Sequence, residues 1–146
     1  MTQTSSDDRD RAAAASRLRH DLITPVNHIL GFTELLIEEA AERDRGHLVG
    51  RLDAVRGLGK EILEGIDHAL ALASEHGLPA DLAGLGQSLI APCGAIIESC
   101  DEVEDAVGQA PDRAFFLGDL AKVRDAAARL AVIAGRLGAG PDAPPG

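Results

Sequence analysis

Apolar residues recur every three or four positions along nearly the whole chain of 146 residues. The first such series comprises Leu18, Leu22, Val26, Ile29, Thr33 and Leu36. This spacing puts the side chains on one face of an α-helix, and that face must be buried against other helices. The pattern therefore predicts amphipathic helices rather than strands.

The composition agrees with packed helices. Hydrophobic residues make up 45% of the chain but aromatic residues only 2%, with no Trp or Tyr, so a core must come from Ala, Leu, Ile and Val. A β-sandwich would require more aromatic and β-branched residues. The length suits one compact domain.

Turn and cap residues divide the chain into four helices. We expect the first three to run from a cap at Asp7 or Asp8 to about Ala41, from about His47 to His76, and from Asp81 to about Val107. A turn at Pro111–Asp112 then precedes a fourth helix that carries Phe116, Leu120, Val123, Leu130 and Leu137. Short connections between long helices predict an all-α, antiparallel four-helix bundle made of two hairpins. The expected divisions are a disordered N-terminus at 1–7, a first hairpin at 8–76, a second at 77–138 and a flexible tail at 139–146.

The second hairpin resembles the first. A shift of 67 residues lays Leu22-Ile23-Thr24-Pro25 over Leu89-Ile90-Ala91-Pro92. A proline inside a helix costs about 3 kcal/mol, so the shared proline favours a degenerate repeat over chance similarity between two hairpins rich in Ala and Leu. Where the first copy has His20, the second has Gln87. A repeat would make the molecule a single-chain pseudo-dimer, and we expect a monomer rather than a homodimer.

The stretch that begins at His20 carries the strongest motif. It runs His20-Asp21-Leu22-Ile23-Thr24-Pro25-Val26-Asn27-His28-Ile29-Leu30-Gly31-Phe32-Thr33-Glu34-Leu35-Leu36. This stretch resembles the H-box of the dimerisation and histidine-phosphotransfer domain (DHp, HisKA-like) of two-component sensor histidine kinases. The resemblance implies that His20 is the phosphoacceptor, that Asp21 assists proton removal, and that Thr24 positions water when a response regulator is dephosphorylated.

The same resemblance assigns roles to the following turns. Pro25 matches the helix-bending proline, and Gly31 matches a small residue where a receiver domain docks. We expect Asn27, His28 and Glu34 to belong to the same docking surface. Ile23 departs from a position that is commonly basic in the family.

The residues support this chemistry without the family. His20, Thr24, Asn27 and Gly31 follow one another at steps of four, three and four, and so share a helix face. An exposed imidazole is largely neutral near pH 7 and can attack phosphorus, while the neighbouring carboxylate of Asp21 can accept a proton. The alternative is that His20 is an ordinary solvated histidine.

Other kinds of site are not predicted. The remaining histidines lack metal-ligand spacing, so we expect no metal site and no cofactor of the chain's own. Phosphoryl transfer would then use Mg²⁺ held by a partner receiver domain. Residues 77–146 are too short and too helical for an ATP-binding domain, so we do not expect self-phosphorylation from ATP.

Charge narrows the range of partners. The 24 acidic and 14 basic side chains give a net charge of −10, which disfavours binding to nucleic acid or to an anionic membrane. No apolar run is long enough to span a bilayer, and we expect a cytoplasmic protein. Cys93 and Cys100 lie on one helix too far apart to bridge, so we expect reduced core residues.

The predicted function is histidine phosphotransfer in a two-component phosphorelay. His20 would carry a phosphoryl group between a separate histidine kinase or receiver domain and a response regulator, and Thr24 would permit phosphatase action on that regulator. Two alternatives remain open: a non-catalytic bundle that binds or sequesters receiver domains, and a phosphoacceptor fragment of a larger signalling protein.

Overall fold

The computed structural model describes residues 2–76 and 82–139, which form an all-α four-helix bundle. The helices are α1 (Thr2–Glu42), α2 (Gly46–His76), α3 (Leu82–Val107) and α4 (Arg113–Ala139). No strand occurs within these residues, and the predicted fold class is confirmed. The expected start of the third helix at Asp81 and the tail from Gly140 onward lie outside the described residues.

The helix ends differ from the predicted ends at two places. Helix α1 begins at Thr2, upstream of the expected cap at Asp7 or Asp8. Residues 2–8 contain neither Gly nor Pro, so nothing in their backbone stops the helix there. Helix α4 continues through Gly138 to Ala139, the first residue of the predicted tail.

Each helix packs against two neighbours. Helix α1 contacts α2 and α4, and α3 contacts the same two helices, so α1 and α3 lie on one diagonal of the bundle and α2 and α4 on the other. The core is almost entirely aliphatic, and Phe116 is its largest fully buried side chain. None of the helices in the described ranges combines the length and apolarity needed to cross a lipid bilayer.

The two hairpins bury corresponding positions. With the 67-residue shift, the pairs buried in both copies of the first helix are Leu22/Leu89, Val26/Cys93, Ile29/Ile96, Thr33/Cys100, Leu36/Val103 and Ala40/Val107. With one further residue of shift after the turn, they are Leu48/Phe116, Leu52/Leu120, Val55/Val123, Ile62/Leu130 and Ile66/Ala134. The two hairpins therefore share their pattern of buried positions, as expected of a repeat.

The turns of the two hairpins meet at one end of the bundle. Each turn carries an Asp-Arg pair just before the second helix of its hairpin, Asp44-Arg45 in one and Asp112-Arg113 in the other. Arg45 crosses between the turns: its guanidinium donates to both carboxylate oxygens of Asp112, at 3.2 and 2.7 Å, and to the backbone carbonyl oxygen of Val107 at 3.1 Å. The hairpins are therefore tied together by a bidentate ion pair that is largely shielded from solvent.

Helices α3 and α4 approach closely at Gly86. A Cβ atom at this position would lie 2.4 Å from the carbonyl oxygen of Ala134 and 2.5 Å from the backbone nitrogen of Gly138. The corresponding position in α1 is Arg19, whose side chain instead pairs with Asp67 on α2 at 2.9 Å. The second hairpin is thus packed more tightly than the first at this level.

Candidate functional site

His20 lies on the solvent-exposed face of α1, as predicted. Asp21 is also exposed, Thr24 is partly buried, and Pro25 is buried against the neighbouring helix. The apolar residues on the opposite face of this turn, Leu22 and Val26, are fully buried. Burial of that face fixes the rotation of α1 and so turns His20 toward solvent.

Thr24 and Pro25 modify the backbone hydrogen bonding around His20. The Thr24 hydroxyl donates to the backbone carbonyl oxygen of His20 at 2.7 Å. Because Pro25 has no N–H, the carbonyl of Asp21 lacks its usual helical donor. Helix α1 nevertheless continues through this turn. The two residues at the centre of the motif therefore alter the helix directly beneath the imidazole.

A groove between α1 and α4 opens beside His20. Its α1 wall is formed by His20, Asp21, Thr24 and Pro25, and its α4 wall by Arg129, Ile133, Arg136 and Leu137. The groove therefore joins an imidazole, a carboxylate and a hydroxyl from the first hairpin to two guanidinium groups from the second.

The arginines belong to a basic stripe on α4. Lys122, Arg129 and Arg136 follow one another at steps of seven residues, which keeps them on one side of the helix. The ammonium of Lys122 lies 4.9 Å from the ring centroid of Phe32 on α1. Within the described residues, neither Arg129 nor Arg136 forms an ion pair.

The sequence analysis missed these cationic residues. The signal available was the seven-residue repeat of basic side chains on the last helix, in a chain whose net charge is −10. The sequence pattern alone does not show that this stripe lies beside the face of α1 that carries His20.

The expected docking residues lie on the exposed side of α1. Asn27, His28, Gly31 and Glu34 are all exposed. The His28 ring packs edge-on against Phe32 with centroids 6.2 Å apart. A Cβ atom at Gly31 would meet nothing within 4 Å, so this turn offers a flat and open surface.

The corresponding positions of the second hairpin lack this chemistry. Gln87 replaces His20 and Ala91 replaces Thr24, while Pro92 retains the proline inside α3. On α2, the counterparts of Arg129 and Arg136 are Glu61 and His68. The polar groups of the groove are therefore confined to one side of the bundle, although both hairpins share the same buried positions.

Other reactive groups are remote from the groove or buried. Burial raises the pKa of the Cys93 thiol to about 11 and that of Cys100 to about 11, so both stay protonated at neutral pH. Both are free cysteines, as expected. Among the described residues, no group of three or more His, Cys, Asp or Glu side chains could hold a metal ion.

Comparison with protein-family models, with curated proteins and with solved structures finds no match to this chain.

Proposed function

We propose that the protein is a histidine phosphotransfer protein in which His20 carries the phosphoryl group. The observation that carries the proposal is the placement of an exposed His20, within an H-box-like segment, in a groove that also holds two arginines. Neither arginine has an ion-pair partner in the part of the chain that the structure describes. The opposite side of the bundle, between α3 and α2, has the same buried positions but carries Gln87 and Ala91 in place of His20 and Thr24. It carries Glu61 and His68 in place of the two arginines.

The transfer uses few groups. A lone pair of the His20 imidazole attacks the phosphorus of an aspartyl phosphate on a receiver domain, and the bond from phosphorus to the carboxylate oxygen breaks. The ring proton passes to the Asp21 carboxylate or to solvent. A receiver domain would supply the Mg²⁺, whose contribution would be to neutralise charge on the phosphoryl oxygens. Reversal of the same step loads a response regulator.

The bundle supports this role without a second chain. Two amphipathic helices alone cannot bury their apolar faces, which is why the hairpins of the resembled family pair as homodimers. Here α3 and α4 occupy the place of a partner hairpin, and α4 forms one wall of the groove. The open surface at Asn27, His28, Gly31 and Glu34 is where the receiver domain docks in this proposal.

The test is phosphoryl transfer from phosphorylated receiver domains to the full-length protein. We expect acid-labile, alkali-stable phosphate on the wild type and a loss of at least 100-fold in His20→Gln. The matched control is His68→Gln, which removes an exposed imidazole from α2 and should be labelled like the wild type.

Two outcomes would contradict the proposal. Labelling that persists in His20→Gln would mean that another residue is the acceptor. If the folded protein binds receiver domains but takes no phosphate from any of them, it is a binding or sequestering module, and Asp21 and Thr24 have no catalytic role.

A further inference from the structure

Two arginines of α4 line the groove that contains His20, in a chain with a net charge of −10. We propose that Arg129 and Arg136 form an oxyanion subsite that holds the phosphoryl group while it is on His20. The inference rests on the proposed function, because it takes His20 as the phosphorylated residue. In this inference the second hairpin contributes directly to phosphoryl transfer, and it also completes the core.

The geometry suits a phosphoryl group. Arg129 and Arg136 lie two helical turns apart on α4, about 10 Å along the helix axis, and both line the groove that contains His20 and Thr24. The planar guanidinium group binds phosphate oxygens through two parallel N–H donors. Since neither arginine has a carboxylate partner among the described residues, both sets of donors are free for a ligand.

Other arginines of the chain show what a structural arginine does here. Arg124, about 1.4 turns before Arg129, pairs with Asp101 and Glu104 of α3 at 2.9 Å each. Arg45 pairs with Asp112. The acidic chain thus supplies carboxylates to arginines that join its helices. Arg129 and Arg136, like the exposed Arg9 and Arg17, have no ion pair within the described residues.

The repeat provides an internal comparison. The counterpart of Arg129 is Glu61, so the charge is reversed on the side of the bundle that has Gln87 in place of His20. The buried positions of the two hairpins coincide. The two sides of the bundle therefore differ in their surface groups and not in which positions are buried. This is expected if the arginines act together with the imidazole of His20.

Chemical phosphorylation with phosphoramidate tests the subsite without a partner protein. The His20 imidazole nitrogen forms a bond to phosphorus, the phosphorus–nitrogen bond of phosphoramidate breaks, and the ring proton leaves with ammonia as ammonium. We expect Arg129→Gln and Arg136→Gln each to slow labelling of His20 at least tenfold, and the double variant to slow it further. Increasing salt should slow the wild type but have little effect on the double variant.

The matched control is Lys60→Gln. Lys60 is exposed on α2, diagonal to α4, and its replacement changes the net charge by the same amount. Labelling within twofold of the wild-type rate is expected. Arg129→Lys keeps the charge but not the planar fork, and should recover only part of the rate lost in Arg129→Gln. Circular dichroism confirms that each variant is folded.

The subsite is ruled out if folded Arg129→Gln, Arg136→Gln and the double variant are all labelled within twofold of the wild-type rate. It is equally ruled out if Lys60→Gln slows labelling as much as they do, since net charge alone would then explain the effect. Failure of the proposed function would give a different result. Phosphoramidate would label His20 at a rate that depends on the two arginines, but receiver domains would exchange no phosphate with His20.

Discussion

Thr33 places a hydroxyl in a core otherwise made of hydrocarbon and thiol side chains. The residue is fully buried, and its Oγ1 has no hydrogen-bond partner within the described residues. The corresponding residue of the second hairpin is Cys100, whose thiol is far less costly to bury. Thr33 lies three to four turns beyond His20 on the opposite face of α1, so its role is in the core.

Replacing the hydroxyl of Thr33 by a methyl group should stabilise the fold. Valine has nearly the same shape as threonine, and an unsatisfied buried hydroxyl costs about 1–3 kcal/mol. We expect Thr33→Val to raise the free energy of unfolding by about 1 kcal/mol, measured by urea denaturation. Thr33→Ser keeps the hydroxyl, loses the methyl group and should lower it. Equal destabilisation by both variants would show that the hydroxyl has a partner in solution.

Helices α1 and α3 share one irregularity, which is a proline inside the helix. Pro25 in α1 and Pro92 in α3 each remove one helical N–H donor, and neither interrupts its helix. Both lie within a bundle whose packing compensates for the lost hydrogen bond. Pro25 lines the groove that contains His20.

Replacing these prolines separates their cost to stability from their effect on chemistry. Both Pro25→Ala and Pro92→Ala restore a helical hydrogen bond and should raise the free energy of unfolding by about 1–3 kcal/mol. Only Pro25→Ala should alter the rate at which His20 is phosphorylated by a receiver domain, because only that turn borders the groove. The two readouts are thermal unfolding and phosphate incorporation. An equal change in the phosphorylation rate of both variants would mean that the substitutions act through the stability of the whole bundle and not at the groove.

The helices and their inward faces were predictable because the apolar spacing that defines them is local. The exposure of His20 and Gly31 follows from the burial of Leu22 and Ile29 on the other face of α1. The arginines of the groove were not predictable in this way. Their place depends on which side chains of α4 meet α1, and that is set by packing across the bundle. Gly86 is similar, since only the approach of α4 shows why no side chain fits there.

For the whole molecule, the contact between the two turns links the hairpins. Arg45 holds the pKa of the Asp112 carboxyl below its ordinary value, chiefly through its hydrogen bonds to that carboxylate. A carboxyl with a lowered pKa in the folded state contributes stability above its unfolded pKa, about 3.9. That contribution is lost as the pH falls through the lower value of the folded state.

Asp112→Asn should therefore destabilise the protein in a pH-dependent manner. We expect the variant to unfold at lower urea concentration than the wild type at pH 7, with a difference that shrinks as the pH falls below about 4. Asp105→Asn, at an exposed carboxylate without an ion pair in the described residues, should show little difference at any pH. An Asp112→Asn deficit that stays constant down to pH 2 would contradict the role of the ion pair.

The oligomeric state is the second property of the whole molecule that can be measured directly. All four helices of the bundle come from one chain, and they bury a common core, although Leu35, Ile90, Phe115 and Val132 stay exposed. We expect light scattering to give the mass of a monomer, 15.2 kDa, across the micromolar range. A stable dimer would show that the hairpins pair between chains and would remove the argument for a pseudo-dimer.

The one-sided groove has a kinetic consequence under the proposed function. A symmetric homodimer has two acceptor faces and can engage a donor and a recipient at once. This bundle has one such face, because Gln87 and Glu61 occupy the opposite positions. Donor and recipient must then visit the same surface in turn, so transfer follows double-displacement kinetics. An excess of either unphosphorylated receiver inhibits the other by occupying that surface.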